Sequence, residues 1–124
     1  MKFRLMLWAL AFLMGRASKK NESFRKQLEG QRLTFQIRSL NGASRVYTVK
    51  DLQVTSRSGS CQNPTFDIAF QTPEVGFDTF TAKNTKLAFM EGIQAKKIMI
   101  SGEFPKVIWF QGLIKYLLPK KKKA

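Results

Sequence analysis

The chain has 124 residues, which suits a single domain, and its 44% hydrophobic and 24% charged residues are ordinary for a folded protein. With no His and a single Cys, it lacks the commonest general base and cannot form an intrachain disulfide or a thiolate metal cluster. Eleven Phe against two Tyr indicate a dry interior or an apolar ligand, because the phenyl ring has no polar group.

The net charge of +14 is concentrated at the two ends of the chain. Residues 1–45 carry ten Lys or Arg and two acids, and residues 46–114 carry seven Lys or Arg and six acids. Residues 115–124 carry five Lys and no acid. Basic ends attract polyanions, and the nearly neutral middle remains free for another task.

The N-terminal segment has ten apolar residues, Leu5 to Met14, after Lys2 and Arg4. This run is too short for a spanning helix, which needs about 20 apolar residues. A cleaved signal peptide, and therefore secretion, stays an alternative, although Arg16 stands inside the would-be cleavage site. We favour a retained first helix in a cytoplasmic protein, and peripheral association with the membrane stays open.

Two sets of apolar residues in this segment recur at helical spacing. The first set is Phe3, Leu7, Leu10 and Met14, and the second is Leu5, Trp8 and Phe12. A basic stretch follows them, as it does in a helix that lies at a membrane interface. A helix packed on the domain, followed by a solvated tail, explains the pattern equally well.

Alternation of apolar and polar residues predicts the first strands. The first strand covers residues 33–39, and the Asn-Gly pair at 41–42 favours a tight turn into a second strand over 45–50. Residues 51–57 predict a third strand. The stretch 58–64, which includes the single Cys, is rich in turn residues and predicts a loop.

The second half of the chain alternates strands and helices. Residues 65–71 predict a strand, and the Thr-Pro-Glu sequence at 72–74 is typical of a helix start. That helix is expected to end near Ala82 and to be followed by a second one between Asn84 and Gly92. A last strand over 98–101 and a final helix over 105–118 complete the order, which predicts the α+β class with helices on one face of one sheet.

Three features between Leu33 and Leu118 resemble the sterol carrier protein type 2 family, in its compact stand-alone bacterial form. They are the opening hairpin with its Tyr47, the alternating strand 66–70 before a helix, and the sequence Ala88-Phe89-Met90-Glu91-Gly92 before the strand that ends in Gly102-Glu103. The chain departs from the family where Glu103 replaces its usual Asp and where the stretch 92–98 is longer.

The resemblance implies a mostly antiparallel five-stranded sheet covered by helices, with an apolar tunnel between the two layers. The implied ligands are sterols, fatty acyl chains, phospholipids or isoprenoid quinones, and no chemistry or cofactor is implied. The expected organisation is an N-terminal apolar and basic helix over 1–28, a lipid-binding domain over 29–118 and a basic tail over 119–124.

The apolar residues of the domain can line a ligand cavity or simply fill a core, and their spacing does not separate the two interpretations. The candidate lining residues are Phe66, Ile68, Phe70, Phe77, Phe80, Leu87, Phe89, Met90, Ile98, Ile100, Trp109, Phe110 and Leu113. The resemblance favours the cavity.

The basic residues near the two ends are candidates for binding an anionic membrane surface, since each such cation contributes about 1 kcal/mol there. They are Lys19, Lys20, Arg25, Lys26, Lys120, Lys121, Lys122 and Lys123. A solubilising role for the tail is the alternative interpretation.

Three rival functions remain at this point. Nucleic-acid binding fits the basic ends, but the neutral middle provides no basic stripe. An enzyme is not expected, because Asp67, Asp78 and the remaining acids form no recognisable catalytic motif. A non-enzymatic scaffold could bind a protein partner through an exposed patch around Trp109.

Overall fold

The fold is that of a computed structural model, which describes residues 2–40 and 42–114. The helices are α1 (Lys2–Lys20), α2 (Glu22–Leu28), α3 (Pro73–Phe80), α4 (Thr85–Gln94) and α5 (Phe104–Ile114). The strands are β1 (Leu33–Ser39), β2 (Ser44–Lys50), β3 (Gln53–Ser58), β4 (Phe66–Phe70) and β5 (Ile98–Gly102). The α+β class is confirmed, and so is the predicted order of elements from β1 onward.

The N-terminal segment forms two helices instead of the single one expected, because the chain turns at Asn21. The Asn21 side chain accepts a hydrogen bond from the Phe24 N–H at 3.0 Å and so caps α2. Asn21 followed by Glu22 is a recognisable helix start, and it was missing from the predicted elements. The expected end of α4 at Gly92 is also wrong, since that helix continues to Gln94.

The five strands form one sheet in the order β3-β2-β1-β4-β5. Neighbouring strands are antiparallel except for β1 and β4, which are parallel. The mostly antiparallel sheet that we expected is therefore confirmed. The register places Phe35 at the centre, directly opposite Tyr47 on one side and Phe66 on the other.

The helices cover the face of the sheet that carries Phe35, as expected. α1 packs on β2 and β3 and against α2 and α3, whereas α5 packs on β4 and against α4. The buried side chains of α1 join those of the sheet in one hydrophobic core. The N-terminal helices and the rest of the described chain therefore share a single core.

A buried hydrogen bond joins α1 to the sheet. The Tyr47 hydroxyl donates to the Leu7 carbonyl at 2.8 Å. Burial raises the pKa of Tyr47 well above its ordinary value, and the nearby positive charge of Arg45 offsets only part of that rise. Tyr47 therefore stays neutral in the folded protein at pH values where an exposed Tyr ionises.

We expect Tyr47→Phe to lower the free energy of unfolding by about 1 kcal/mol at neutral pH, because one buried hydrogen bond is lost. The variant should also lose less stability in alkali than the wild type. Because the folded-state pKa of Tyr47 is raised, its stabilisation is present below about pH 10 and falls as the pH rises further. Urea unfolding of both proteins at neutral and alkaline pH measures the difference, and equal alkaline losses would contradict this account.

Candidate functional site

The space between the sheet and the helices is lined almost entirely by apolar side chains. From the sheet come the buried side chains of Leu33, Phe35, Ile37, Tyr47, Val49, Phe66, Ile68 and Phe70. The one polar group among these side chains, the Tyr47 hydroxyl, is already hydrogen bonded. A molecule held in this space must therefore be apolar at the part that enters it.

The aromatic rings of this space form a continuous network, which we call the phenylalanine cluster. Phe35 lies at its centre, with ring centroids 5.1 Å from Tyr47, 4.7 Å from Phe66 and 4.8 Å from Phe110. A second branch passes through rings separated by 5.6 to 6.3 Å. Its members are Phe70, Phe80, Phe89 and Phe110. The cluster thus links the middle of the sheet to α3, α4 and α5.

The structure brings together most of the thirteen candidate lining residues. The buried ones are Phe66, Ile68, Phe70, Phe80, Phe89, Ile98, Phe110 and Leu113. Phe77, Ile100 and Trp109 are half-buried. Leu87 and Met90 lie on the exposed side of α4, with 48% and 52% of their surface accessible. These two side chains therefore point away from the phenylalanine cluster.

Three members of the cluster were missing from the predicted lining. Phe35 and Tyr47 were assigned only to strands, and Phe3 of α1 contacts Phe70 with ring centroids 5.9 Å apart. The alternation of the strands and the spacing of Phe3, Leu7 and Leu10 were the signals that could have identified them. Sequence alone did not show that α1 lies over the same space.

In this structure the described side chains occupy the space by direct ring-to-ring contact. Among the described residues, surface grooves of about 570 and 380 Å³ are present, and none of the thirteen candidates lines either of these two. An apolar ligand would therefore have to displace some of the rings or helices that now contact one another. The predicted cavity stays a prediction.

The opposite face of the sheet carries a polar cluster. The Asp67 carboxylate accepts hydrogen bonds from Gln36 Nε2 at 2.8 Å and from Arg38 Nε and Nη2 at 3.1 Å. Gln36 Oε1 in turn accepts a bond from the Cys61 N–H at 2.8 Å. These bonds hold the loop after β3 against the sheet, and they keep Asp67 engaged as a structural group.

The basic residues predicted to bind a membrane differ in their surroundings. Lys19, Lys20 and Lys26 are exposed, whereas Arg25 is half-buried and donates to the Ser18 carbonyl at 2.6 Å. The candidates from 120 to 123 lie outside the described residues. Among the residues that are described, none of the helices combines the length and apolar character needed to cross a bilayer.

The patch around Trp109 is only partly exposed. Trp109 is half-buried, and its indole N–H donates to the Gln27 carbonyl at the end of α2 at 2.8 Å. Of the large apolar residues on α5, Phe104 and Ile108 remain exposed. Trp109 therefore helps to hold α5 against α2.

No protein-family model matches the sequence. No curated protein matches it either.

Solved structures do show what the chain is similar to. The sterol carrier protein domain 2 of Helicoverpa armigera aligns with a TM-score of 0.68 and 14% identity over 99% of this chain and 94% of that one. A UbiJ-SCP2 ubiquinone synthesis protein aligns with a TM-score of 0.65 and 12% identity over 91% of both chains.

The same fold also occurs inside a longer protein. A sec-alkylsulfatase from a Pseudomonas species aligns with a TM-score of 0.57 and 18% identity, over 72% of this chain but 14% of that one. At these identities the likeness concerns the fold. The chain has the sterol carrier protein 2 fold, and the resemblance noted from its sequence is confirmed at that level.

Proposed function

We propose that this protein is a lipid carrier that holds an apolar molecule between the helices and the sheet. The observation that carries the proposal is the phenylalanine cluster, placed in a sterol carrier protein 2 fold. The sterol carrier and ubiquinone synthesis proteins that share the fold support a lipid as the class of ligand.

The lining determines what such a ligand must look like. Because the lining side chains are apolar and the polar groups are already hydrogen bonded, burying hydrocarbon there favours binding, whereas burying an unpaired polar group of the ligand disfavours it. Each buried methylene contributes about 0.8 kcal/mol, so a long acyl or isoprenoid chain supplies on the order of 10 kcal/mol before the costs of association. Micromolar affinity is within reach without any charged contact.

The carrier would present its ligand without transforming it. Two of the acids that could in principle act as catalytic groups are Asp67 and Glu74. Asp67 is hydrogen bonded to Gln36 and ion-paired with Arg38. Glu74 lies in the first turn of α3, where an acid stabilises a helix. Neither side chain faces the phenylalanine cluster. A role in presentation, without catalysis, is therefore the function that we propose.

The basic ends fit a second part of the proposal, in which the carrier docks on an anionic membrane to load or deliver its ligand. The exposed Lys19, Lys20 and Lys26 lie close together in sequence around the α1–α2 junction. Each such cation near an anionic surface contributes about 1 kcal/mol. Docking of this kind weakens as the salt concentration rises.

The arrangement of aromatic residues argues against nucleic-acid binding on the sheet. Base stacking needs aromatic rings on an accessible sheet face. In the described strands every aromatic residue, namely Phe35, Tyr47, Phe66 and Phe70, faces the helices. The opposite face of these strands carries polar and aliphatic side chains instead.

Native mass spectrometry of the protein purified from its own host, followed by lipid extraction, tests the carrier function. We expect a bound lipid at a stoichiometry near one per chain. The Leu87→Ser/Met90→Ser variant should keep the same load, because both side chains point away from the cluster. An empty protein that also takes up no fluorescent acyl or quinone probe would contradict the carrier function and favour a scaffold.

A further inference from the structure

α1 is apolar on two opposite faces, and only one of them is covered. Phe3, Leu7, Leu10 and Met14 are buried in the core. On the other side, Leu5, Trp8 and Phe12 have 65%, 53% and 53% of their surface exposed. We call these three residues the outer stripe. Apolar side chains of this size rarely stay uncovered side by side on a helix, so the outer stripe marks an interaction surface.

The outer stripe leads directly into a row of cations. Arg16 and Lys19 follow Phe12 at steps of four and three residues, so they share the outward side of α1 over roughly 20 Å of helix. α1 contains no acid. A helix with an apolar half and a basic half on one side matches the layering of acyl chains and phosphates at a bilayer surface.

A groove lies beside these cations, between α1 and the start of α2. Its volume is about 570 Å³, and it is lined by Leu13, Arg16, Ala17, Lys20, Asn21, Glu22 and Ser23. Its two cations outnumber its one acid, and Leu13 connects it to the apolar half of the helix. We call it the basic groove. It offers cations and polar groups where the headgroup layer would lie.

We propose that the outward side of α1 is the membrane-docking surface of this protein, and that its occupant is an anionic phospholipid bilayer. The outer stripe enters the boundary between headgroups and acyl chains, and the basic groove receives the phosphate of one headgroup. The proposal rests on the proposed carrier function and names the surface through which the carrier meets the membrane.

Charge favours the bilayer over a second copy of the chain. Two α1 helices packed in parallel would bring Arg16, Lys19 and Lys20 of both copies together, and packed antiparallel they would set these cations against the outer stripe, so neither arrangement neutralises the positive charge. An anionic bilayer instead neutralises these cations while it covers the outer stripe. The buried side of α1 can stay on the core throughout, so docking needs no unfolding.

Cosedimentation with vesicles of equal parts phosphatidylglycerol and phosphatidylcholine tests the surface. We expect Trp8→Ser/Phe12→Ser to weaken partitioning at least about tenfold, because the inserted apolar area is lost. The matched control is Leu87→Ser/Met90→Ser, which removes two similarly exposed apolar side chains from α4 and should change partitioning less than about twofold. Circular dichroism and thermal unfolding check that both variants fold.

The basic groove is tested by a pair of variants with equal loss of charge. Arg16→Gln/Lys20→Gln should weaken partitioning more than Lys83→Gln/Lys86→Gln, whose exposed cations lie before and on α4. The difference should vanish on vesicles of phosphatidylcholine alone. Adding inorganic phosphate should release no more protein from the vesicles than adding chloride at equal ionic strength. The reason is that the bilayer binds the protein through the outer stripe as well as through a phosphate. Equal effects of the two variants would remove the groove from the proposal.

Trp8 provides a direct readout of insertion. In a Trp109→Phe background, Trp8 emission should shift to shorter wavelengths on the anionic vesicles and be quenched by brominated acyl chains. If Trp8→Ser/Phe12→Ser binds vesicles like the wild type, the docking surface lies elsewhere and the proposal is overturned. It is equally overturned if that variant instead converts a dimer into a monomer in sedimentation velocity, because a second copy would then cover the stripe.

Lipid load separates this proposal from the carrier function. Native mass spectra of Trp8→Ser/Phe12→Ser should show the same bound lipid as the wild type, because neither side chain belongs to the core. If the protein carries lipid and its vesicle binding does not depend on the outer stripe, the docking surface is refuted and the carrier function stands. If the protein carries no lipid but its vesicle binding depends on the outer stripe, the carrier function is refuted and the docking surface stands.

Discussion

Phe110→Ala should lower the free energy of unfolding of the lipid-free protein by about 3–5 kcal/mol. Phe110 is fully buried, and its ring contacts Phe35, Phe66 and Phe80 at centroid distances of 4.8, 6.0 and 6.3 Å. Its removal leaves a gap between α5 and the sheet that the neighbouring rings cannot fill completely. Urea unfolding of the delipidated protein measures the loss.

An apolar ligand should restore part of that loss. A gap lined by phenyl rings stays dry and accepts an apolar molecule, and any ligand that binds only the folded state raises its stability. We therefore expect palmitate to stabilise Phe110→Ala more than it stabilises the wild type. If palmitate raises the stability of neither protein, the space between helices and sheet does not accept an acyl chain.

Ile108→Ala is the matched control for this experiment. Ile108 lies on the same helix, two positions away, and is exposed, so its truncation should change the free energy of unfolding by no more than about 0.5 kcal/mol. Where Phe110→Ala fails to fold, Phe110→Leu opens a smaller gap and should show the same preference for palmitate. A loss as small as that of Ile108→Ala would contradict the packing described for Phe110.

Local patterns predicted most elements of this fold because each depends on neighbours in sequence. The alternation over 33–39 gave β1 its observed bounds, and the two sets of apolar residues in α1 proved to be its two sides. Periodicity shows which residues share a side, but packing against distant elements decides which side is covered. The sequence could therefore not tell that Phe3 is buried and Trp8 exposed.

The sheet shows the same limit. The antiparallel pairs of β2 follow from short turns, whereas the parallel pair of β1 and β4 joins strands that are separated by the whole β2–β3 hairpin and its following loop. The choice between a filled core and an open cavity is also beyond the sequence. Both need the same Phe and Ile residues, and they differ only in how closely those side chains approach one another.

Asp67 is a further case in which the alternation along a strand determines the face of a side chain but not its surroundings. It lies on the face of the sheet opposite the helices, yet it is buried. Its neighbours Gln36 and Arg38 come from β1, and the loop that contains Cys61 folds over them. Alternation places Asp67 on that face, but only the tertiary fold covers it.

Asp67→Ala should accordingly lower the free energy of unfolding by about 2–3 kcal/mol, because the Gln36 amide loses its acceptor in a buried position. The Arg38 ion pair adds less than a fully buried one would, since 36% of the Arg38 side chain is exposed to screening by water. Gln36 also holds the Cys61 N–H, so the loop should loosen and Cys61 should react faster with a thiol reagent. Chemical unfolding and thiol labelling measure the two effects.

Two variants separate the roles of Asp67. Asp67→Asn keeps an oxygen acceptor for Gln36 while it removes the charge, so it should lose less stability than Asp67→Ala. The thiol reagent should also label Cys61 more slowly in Asp67→Asn than in Asp67→Ala. Asp78→Ala removes an exposed acid from α3 and should change stability by no more than about 0.5 kcal/mol. If Asp67→Ala leaves the labelling rate of Cys61 unchanged, the loop is held by other contacts, and the bonds through Gln36 do not fix its position over the sheet.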